Sequence, residues 1–225
     1  MKLKCIGLLV TLIMCANAAR AGVVIGGTRL IYEGDKKEAS LNVSNPERAP
    51  YLIQSWVEDG SGNADNVPFL ITPPLFRLDG EQRNILRVIY TGDALPKDRE
   101  SLFWINVKSI PSAPKKDNTL QIAVKTRIKL IFRPSGLKSE TPEDVTSQLQ
   151  WKSQGKVLQV SNPTAYYMNF NSIMVNGVSV VDPTFVGPRS TAEFKLPSGG
   201  KPAGEVSWQI ISDYGAIGKI HQASL

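Results

Sequence analysis

Cysteine is almost missing from this chain. Its two cysteines, Cys5 and Cys15, both fall in a stretch that reads as a secretory leader. Lys2 and Lys4 make a positive start, residues 6–16 are apolar apart from one threonine, and Ala19-Arg20-Ala21 fits the A-x-A cleavage pattern. The apolar run is too short for a permanent membrane span, and no later segment is apolar for long enough. Cys5 is followed by Ile-Gly, not set at a small-residue cleavage site, which argues against a lipid anchor. Cleavage after Ala21 is expected to release into an oxidising compartment a chain without thiols. That excludes disulfides, thiolate metal sites and a cysteine nucleophile.

Histidine is scarcer still. His221 is the only one, near the end of the chain, and reads most simply as a surface residue. A serine triad needs a base beside its nucleophile, and no Gly-x-Ser-x-Gly elbow, phosphate loop or His/Cys cluster is present. No catalytic residue, metal or cofactor is therefore expected, although two carboxylates can meet in any fold and a carboxylate-pair hydrolase stays open. Asp59, Ser61, Asn63 and Asp65 have the spacing of a calcium loop, but Ala64 and Leu70 stand where glycine and glutamate are needed, so a solvated turn suffices. Three of the positive charges behind the formal net charge of +6 (Lys2, Lys4 and Arg20) lie in the leader. What remains is modest, and no basic run interleaved with aromatics occurs, so nucleic acid is not an expected partner.

A helical period of ten residues is also absent, and what fills its place is alternation. In TLQIAVKTRIKLIFRP (119–134), Leu120, Ile122, Val124, Thr126, Ile128, Leu130 and Phe132 share one face; Gln121, Lys125, Arg127, Lys129 and Arg133 share the other. A period of two marks a β-strand with one apolar face. The alternation runs about twice the usual strand length of about 5–6 residues. It is either a long core strand or an edge strand that lends Leu120, Ile122 and Val124 to another protein. Residues 102–111 alternate as well, and PSAPKKDN (111–118) between the two suggests a hairpin loop.

Short alternating runs separated by turn residues continue on both sides. Before Pro134 they cover 22–32, 40–44, 51–57, 69–72 and 82–90; after it, 149–151, 157–160, 167–174, 178–181, 191–194, 206–211 and 217–221. About seven strands before Pro134 match the count of an immunoglobulin-like sandwich. Arg133-Pro134-Ser135-Gly136 punctuates the chain. The expected fold is all-β, with a leader at 1–21 and two immunoglobulin-like β-sandwich domains at 22–136 and 137–225.

LPKDRESLFWINVKSIP (95–111) resembles the signature segment of the periplasmic pilus-assembly chaperones, the PapD-like family, through Leu95, Pro96, Asp98, Arg99, Glu100, Ser101, Phe103, Trp104, Asn106, Val107, Ile110 and Pro111. GTRLIY (27–32), PFLITPPLFRL (68–78), RIKLIFRP (127–134), VSNPTAYYMNF (160–170) and ISDYGA (211–216) resemble the same family, so the likeness spans nearly the whole mature chain. It implies two immunoglobulin-like domains set at an angle with a cleft between them. It implies a periplasmic chaperone, not an enzyme, that caps pilus subunits by donor-strand complementation and delivers them to an outer-membrane usher. Arg29 and Lys129 would hold a subunit's terminal carboxylate, and Leu120, Ile122 and Val124 would form the donor strand. Glu100, Arg133 and Asp213 would form an interdomain ion network. The short loop at 112–118, with no flanking cysteines, resembles the short-loop branch tied to rod-forming pili, and the apolar edge suggests a self-capping homodimer. A secreted immunoglobulin-like adhesin or carbohydrate-binding module is the alternative; it would show clustered surface aromatics and no need for Arg29 or Lys129. Taken without the resemblance, those two residues read as ordinary solvated charges on strand faces.

Overall fold

The computed structural model describes residues 22–92, 95–112, 120–196 and 203–225. The expected leader at 1–21 and most of the loop at 112–118 lie outside them.

Among the described residues, nine strands precede Pro134: β1 (Val24–Ile25), β2 (Arg29–Glu33), β3 (Ala39–Ser44), β4 (Tyr51–Glu58), β5 (Phe69–Thr72), β6 (Leu75–Leu78), β7 (Arg83–Tyr90), β8 (Ser101–Pro111) and β9 (Val124–Arg133). They form two sheets, in the orders β1-β3-β7-β5 and β2-β9-β8-β4-β6. Inward-facing residues of both sheets make one core, in which Val43, Ile53, Leu86, Val88, Ile105 and Leu130 are buried. An aromatic cluster closes one end: Tyr32 stacks on Phe132 at 5.9 Å, and Phe69 meets Phe103 edge-on at 5.0 Å.

The C-terminal half builds a second sandwich from β10 (Gln150–Gln154), β11 (Val157–Asn162), β12 (Met168–Val175), β13 (Val178–Ser179), β14 (Phe185–Val186), β15 (Ser190–Lys195), β16 (Glu205–Ile210) and β17 (His221–Ser224). One sheet runs β10-β11-β15 and the other β13-β12-β16-β17, with β14 beside β12. Its core is a separate cluster that includes Trp151, Leu158, Met168, Ile173 and Trp208. The Trp208 indole donates to Thr146 Oγ1 at 3.0 Å, which satisfies its buried N–H.

Four expectations need correction. Residues 22–32 are two strands, not one: β1 joins the four-stranded sheet and β2 the five-stranded one. The crossing uses Gly26, where a Cβ would sit 3.0 Å from that of Asn42. The long strand begins at Val124, so Leu120 and Ile122 lie outside the ladder. Its partner explains this. The register ends at Ser109 opposite Val124, two residues before Pro111, which has no N–H to donate. The last strand falls at His221–Ser224, whereas Ile217 makes only an isolated bridge to Ile211. Two short strands, β6 and β14, were not foreseen. Each is too brief to show a period, and β6 directly follows Pro73-Pro74. The calcium-like segment is a turn in which Asp59 Oδ1 accepts from Ser61 N–H, Ser61 Oγ and Asn63 N–H.

Candidate functional site

β2 and β9 run parallel, an arrangement that sets Arg29 beside Lys129 and Glu33 beside Arg133. Partners in a parallel ladder lie about 4.8 Å apart with side chains on a common face. The two cations are therefore neighbours by backbone geometry alone. Lys129 is enclosed by groups from both halves of the chain. Its ammonium lies 4.5 Å from the Phe185 ring centroid and 5.9 Å from that of Trp104, and it donates to Oδ1 of the buried Asn169. Arg29 Nη1 donates to the Ile211 carbonyl at 3.2 Å, whereas its buried Nε has no acceptor among the described residues.

Neither cation is in an ion pair among the described residues. Burial, helped by the charge of Arg29, pushes Lys129 down to about 8. Burial also lowers Arg29, with Asp213 opposing. Two adjacent, partly desolvated cations without a carboxylate of their own make a site that a small anion would complete. Guanidinium supplies a planar fork suited to carboxylate, and ammonium adds a point charge.

Four residues along β9 the arrangement is the reverse. Arg133 Nε donates to Glu100 Oε1 at 2.7 Å, while Nη1 and Nη2 grip Asp213 at 2.7 and 2.9 Å. Glu100 is 3% exposed and Arg133 8%. The second oxygen of Glu100 accepts from Tyr167 N–H at 2.7 Å, and the guanidinium lies over the Tyr166 ring at 5.4 Å. Burial works against the charged form of Arg133, but the hydrogen bonds to Asp213 and the charge of Glu100 outweigh it and raise its pKa. The expected trio Glu100, Arg133 and Asp213 is thus brought together across the two halves. Between the halves, Arg29, Glu33, Arg133, Lys138, Asp213 and Tyr214 line a cleft of about 420 Å³.

The apolar row expected to be lent out is exposed: Leu120 83%, Ile122 65% and Val124 54%. On the same alternation, Ile128 and Leu130 are buried in the core. β8 covers one edge of β9 from Val124 onward, but β2 covers the other edge only from Lys129 to Arg133. Among the described residues the ladder next to residues 124–128 is therefore open, and it leads directly to the cation pair. A strand added there in the direction of β2 would end with its carboxyl terminus at Arg29 and Lys129. The basic residues on the outer face are engaged by aromatics: Arg127 lies over Trp104 at 4.2 Å and Lys125 over Trp56 at 5.5 Å.

Sequence reasoning missed Asn169 and Phe185 as members of this site. Asn169 stands in the segment VSNPTAYYMNF, whose family likeness was the only signal available, and Phe185 stands in one of the unforeseen strands.

Comparison with known proteins gives concordant matches. The family described as pili and flagellar-assembly chaperone, PapD N-terminal domain, matches residues 22–138. The pili assembly chaperone PapD C-terminal domain matches residues 144–222. The chain is 42% identical to the chaperone protein LpfB of Salmonella typhimurium, covering 96% of this chain and 94% of that protein. It is 41% identical to the chaperone protein FimC of Escherichia coli K12, covering 91% and 85%. Among solved structures, the complex of Salmonella enterica SafA pilin with the SafB chaperone matches with a TM-score of 0.84 and 36% identity, covering 93% of this chain and 99% of that one. The Escherichia coli chaperone DraB matches with a TM-score of 0.82 and 39% identity, covering 91% and 96%.

Proposed function

The chain belongs to the PapD-like family of pilus-assembly chaperones, and we propose that it caps pilus subunits in the periplasm through the open edge of β9. The single observation that carries this reading is the pair of partly buried cations, in no ion pair among the described residues, at the end of a strand edge unpaired among them. A subunit's terminal carboxylate enters between Arg29 and Lys129 and fixes the register. Its last strand runs parallel to β9 along residues 124–128, using the open ladder. Leu120, Ile122 and Val124 fill a groove that the subunit's own fold leaves empty. Each such side chain contributes about 1.5–3 kcal/mol at most when fully buried. Exchange of this strand for another subunit's extension at an outer-membrane usher then releases the client, with no nucleotide chemistry. Without a client, the same exposed row serves a self-capping dimer.

In this reading Glu100, Arg133 and Asp213 set the angle between two domains, whose boundary we put at 136/137. Buried ion networks of this kind contribute more to geometry than to net stability.

A periplasmic pulldown with the mature protein tagged near its C-terminus tests the anchor. A small β-rich subunit is expected to co-purify with the wild type and to be lost from Arg29→Ala and Lys129→Ala while both stay folded. Removing one partner of a buried charge contact costs about 2–5 kcal/mol, which is roughly 30- to 4,000-fold in affinity. Binding that ignores both substitutions would overturn the anchor and move the reading to a secreted adhesin.

A further inference from the structure

The cation pair has a chemistry that the capture role does not use. Lys129 carries a partly buried amine that donates to a neutral amide, has Arg29 as its register partner across the ladder, and lies close to two aromatic rings. We propose that Lys129 is a carbamate site: its neutral amine takes up carbon dioxide, and the carbamate so formed occupies with the chain's own atoms the place of an incoming carboxylate. The inference rests on the reading of the cleft as a carboxylate anchor.

The step balances without any further reactant. The nitrogen lone pair attacks the carbon of CO₂, a C–N bond forms, one C=O electron pair moves to oxygen, and one N–H proton leaves to solvent. The product is –NH–COO⁻ plus a proton. The carbamate nitrogen keeps one hydrogen, which continues to serve Asn169 Oδ1. Its two oxygens offer acceptors beside Arg29, whose buried Nε–H lacks one. The site therefore gains the counter-charge missing in the free chain, and the orphaned donor is satisfied. The group formed is a carboxylate carried by Lys129 beside Arg29, the same anionic group that a client terminus would bring. The aromatic walls, Phe185 and Trp104, suit a small apolar gas. Only the unprotonated amine reacts. With Lys129 pushed down to about 8, roughly a tenth of it is neutral at pH 7, far more than for an ordinary lysine.

The experiment uses the mature full chain with ¹³C-labelled bicarbonate between pH 7 and pH 8.5. The carbamate carbon is followed by ¹³C NMR, then trapped by O-alkylation with triethyloxonium and mapped by peptide mass. Wild type is expected to give a carbamate signal that rises several-fold over this pH range, an adduct on the Lys129 peptide, and loss of both in Lys129→Arg. At fixed ionic strength, bicarbonate should also weaken binding of a short β-forming peptide with a free carboxyl end by several-fold. The same carbamate signal in wild type and Lys129→Arg, with no adduct at Lys129, would overturn the proposal. An amidated form of the peptide separates the two readings. If the adduct forms at Lys129 while free and amidated peptides bind equally, the carbamate stands and the anchor falls. If the free peptide binds selectively and no adduct forms, the carbamate alone falls.

Discussion

Lys129 and Arg133 project from the same face of β9, each beside a residue of β2, and they meet opposite fates. Arg133 spends three donors on two carboxylates, at 2.7 to 2.9 Å, and its pKa is raised although it is buried. Lys129 has a neutral amide, two rings and another cation, and its pKa is lowered to about 8. Both are cations on one strand in the same interdomain region. The difference is whether the chain supplies the counter-charge. Where it does, the residues fix the fold. Where it does not, the fold carries an unfavourable charge, and the pKa of Lys129 falls.

The comparison breaks most readily at Arg133. Arg133→Ala strips Glu100 and Asp213 of their shared cation and leaves a buried carboxylate with only the Tyr167 N–H. Removing one member of a buried network costs about 3–5 kcal/mol. The free energy of unfolding from urea titration should fall by that much, and Arg133→Lys should not restore it, because a single ammonium cannot reproduce the fork on Asp213. A loss below about 1 kcal/mol would place Arg133 with the exposed ion pairs and erase the distinction.

A smaller effect of opposite sign is expected at Lys129. Below pH about 8 the amine is protonated in folded and unfolded chains alike, and the fold bears the charge. Between about 8 and the ordinary 10.5 the unfolded chain holds a proton that the folded chain has released. Stability of the wild type therefore rises with pH across that window. Lys129→Met removes the partly buried charge. It should be more stable at pH 7 by about 1 kcal/mol, a figure reduced for the partial exposure of the side chain. It should also lack the rise between pH 8 and 10. Urea midpoints at the two pH values decide this. A wild type more stable than Lys129→Met at pH 7 would mean that Lys129 has a counter-charge after all.

How much of this was legible in the sequence depended on the range of the contacts involved. Period-two alternation showed β9 and β8 because a half-buried strand imprints its two faces on neighbouring residues. The resemblance supplied Arg29, Lys129 and the Glu100–Arg133–Asp213 trio, residues that no local pattern joins. The start of β9 was not readable from β9 itself, because Pro111 on the partner strand stops the ladder. Asn169 lies 40 residues from Lys129, in the other half of the chain, and meets it only once the two sandwiches are set against each other. Gly26 and Gly27 hid the change of sheet between β1 and β2, since a crossing leaves no trace in the alternation on either side.

The same contrast between completed and uncompleted groups runs through the apolar row of β9, and at its exposed end the expected effect on stability is smallest. Leu130 is fully buried, and Leu130→Ala should cost about 2–5 kcal/mol. Ile122 belongs to the same alternation but is 65% exposed, and it lies beyond the end of the ladder. Ile122→Ser should therefore leave the unfolding free energy within about 0.5 kcal/mol, the range of an ordinary surface change. Its consequence should appear only when a subunit is offered, as weaker retention in the pulldown. A variant with unchanged stability and reduced capture would assign the row's lower end to the client. A variant that loses stability instead would mean that Ile122 already packs within its own chain, and the lent-strand reading would then have to begin no earlier than Val124.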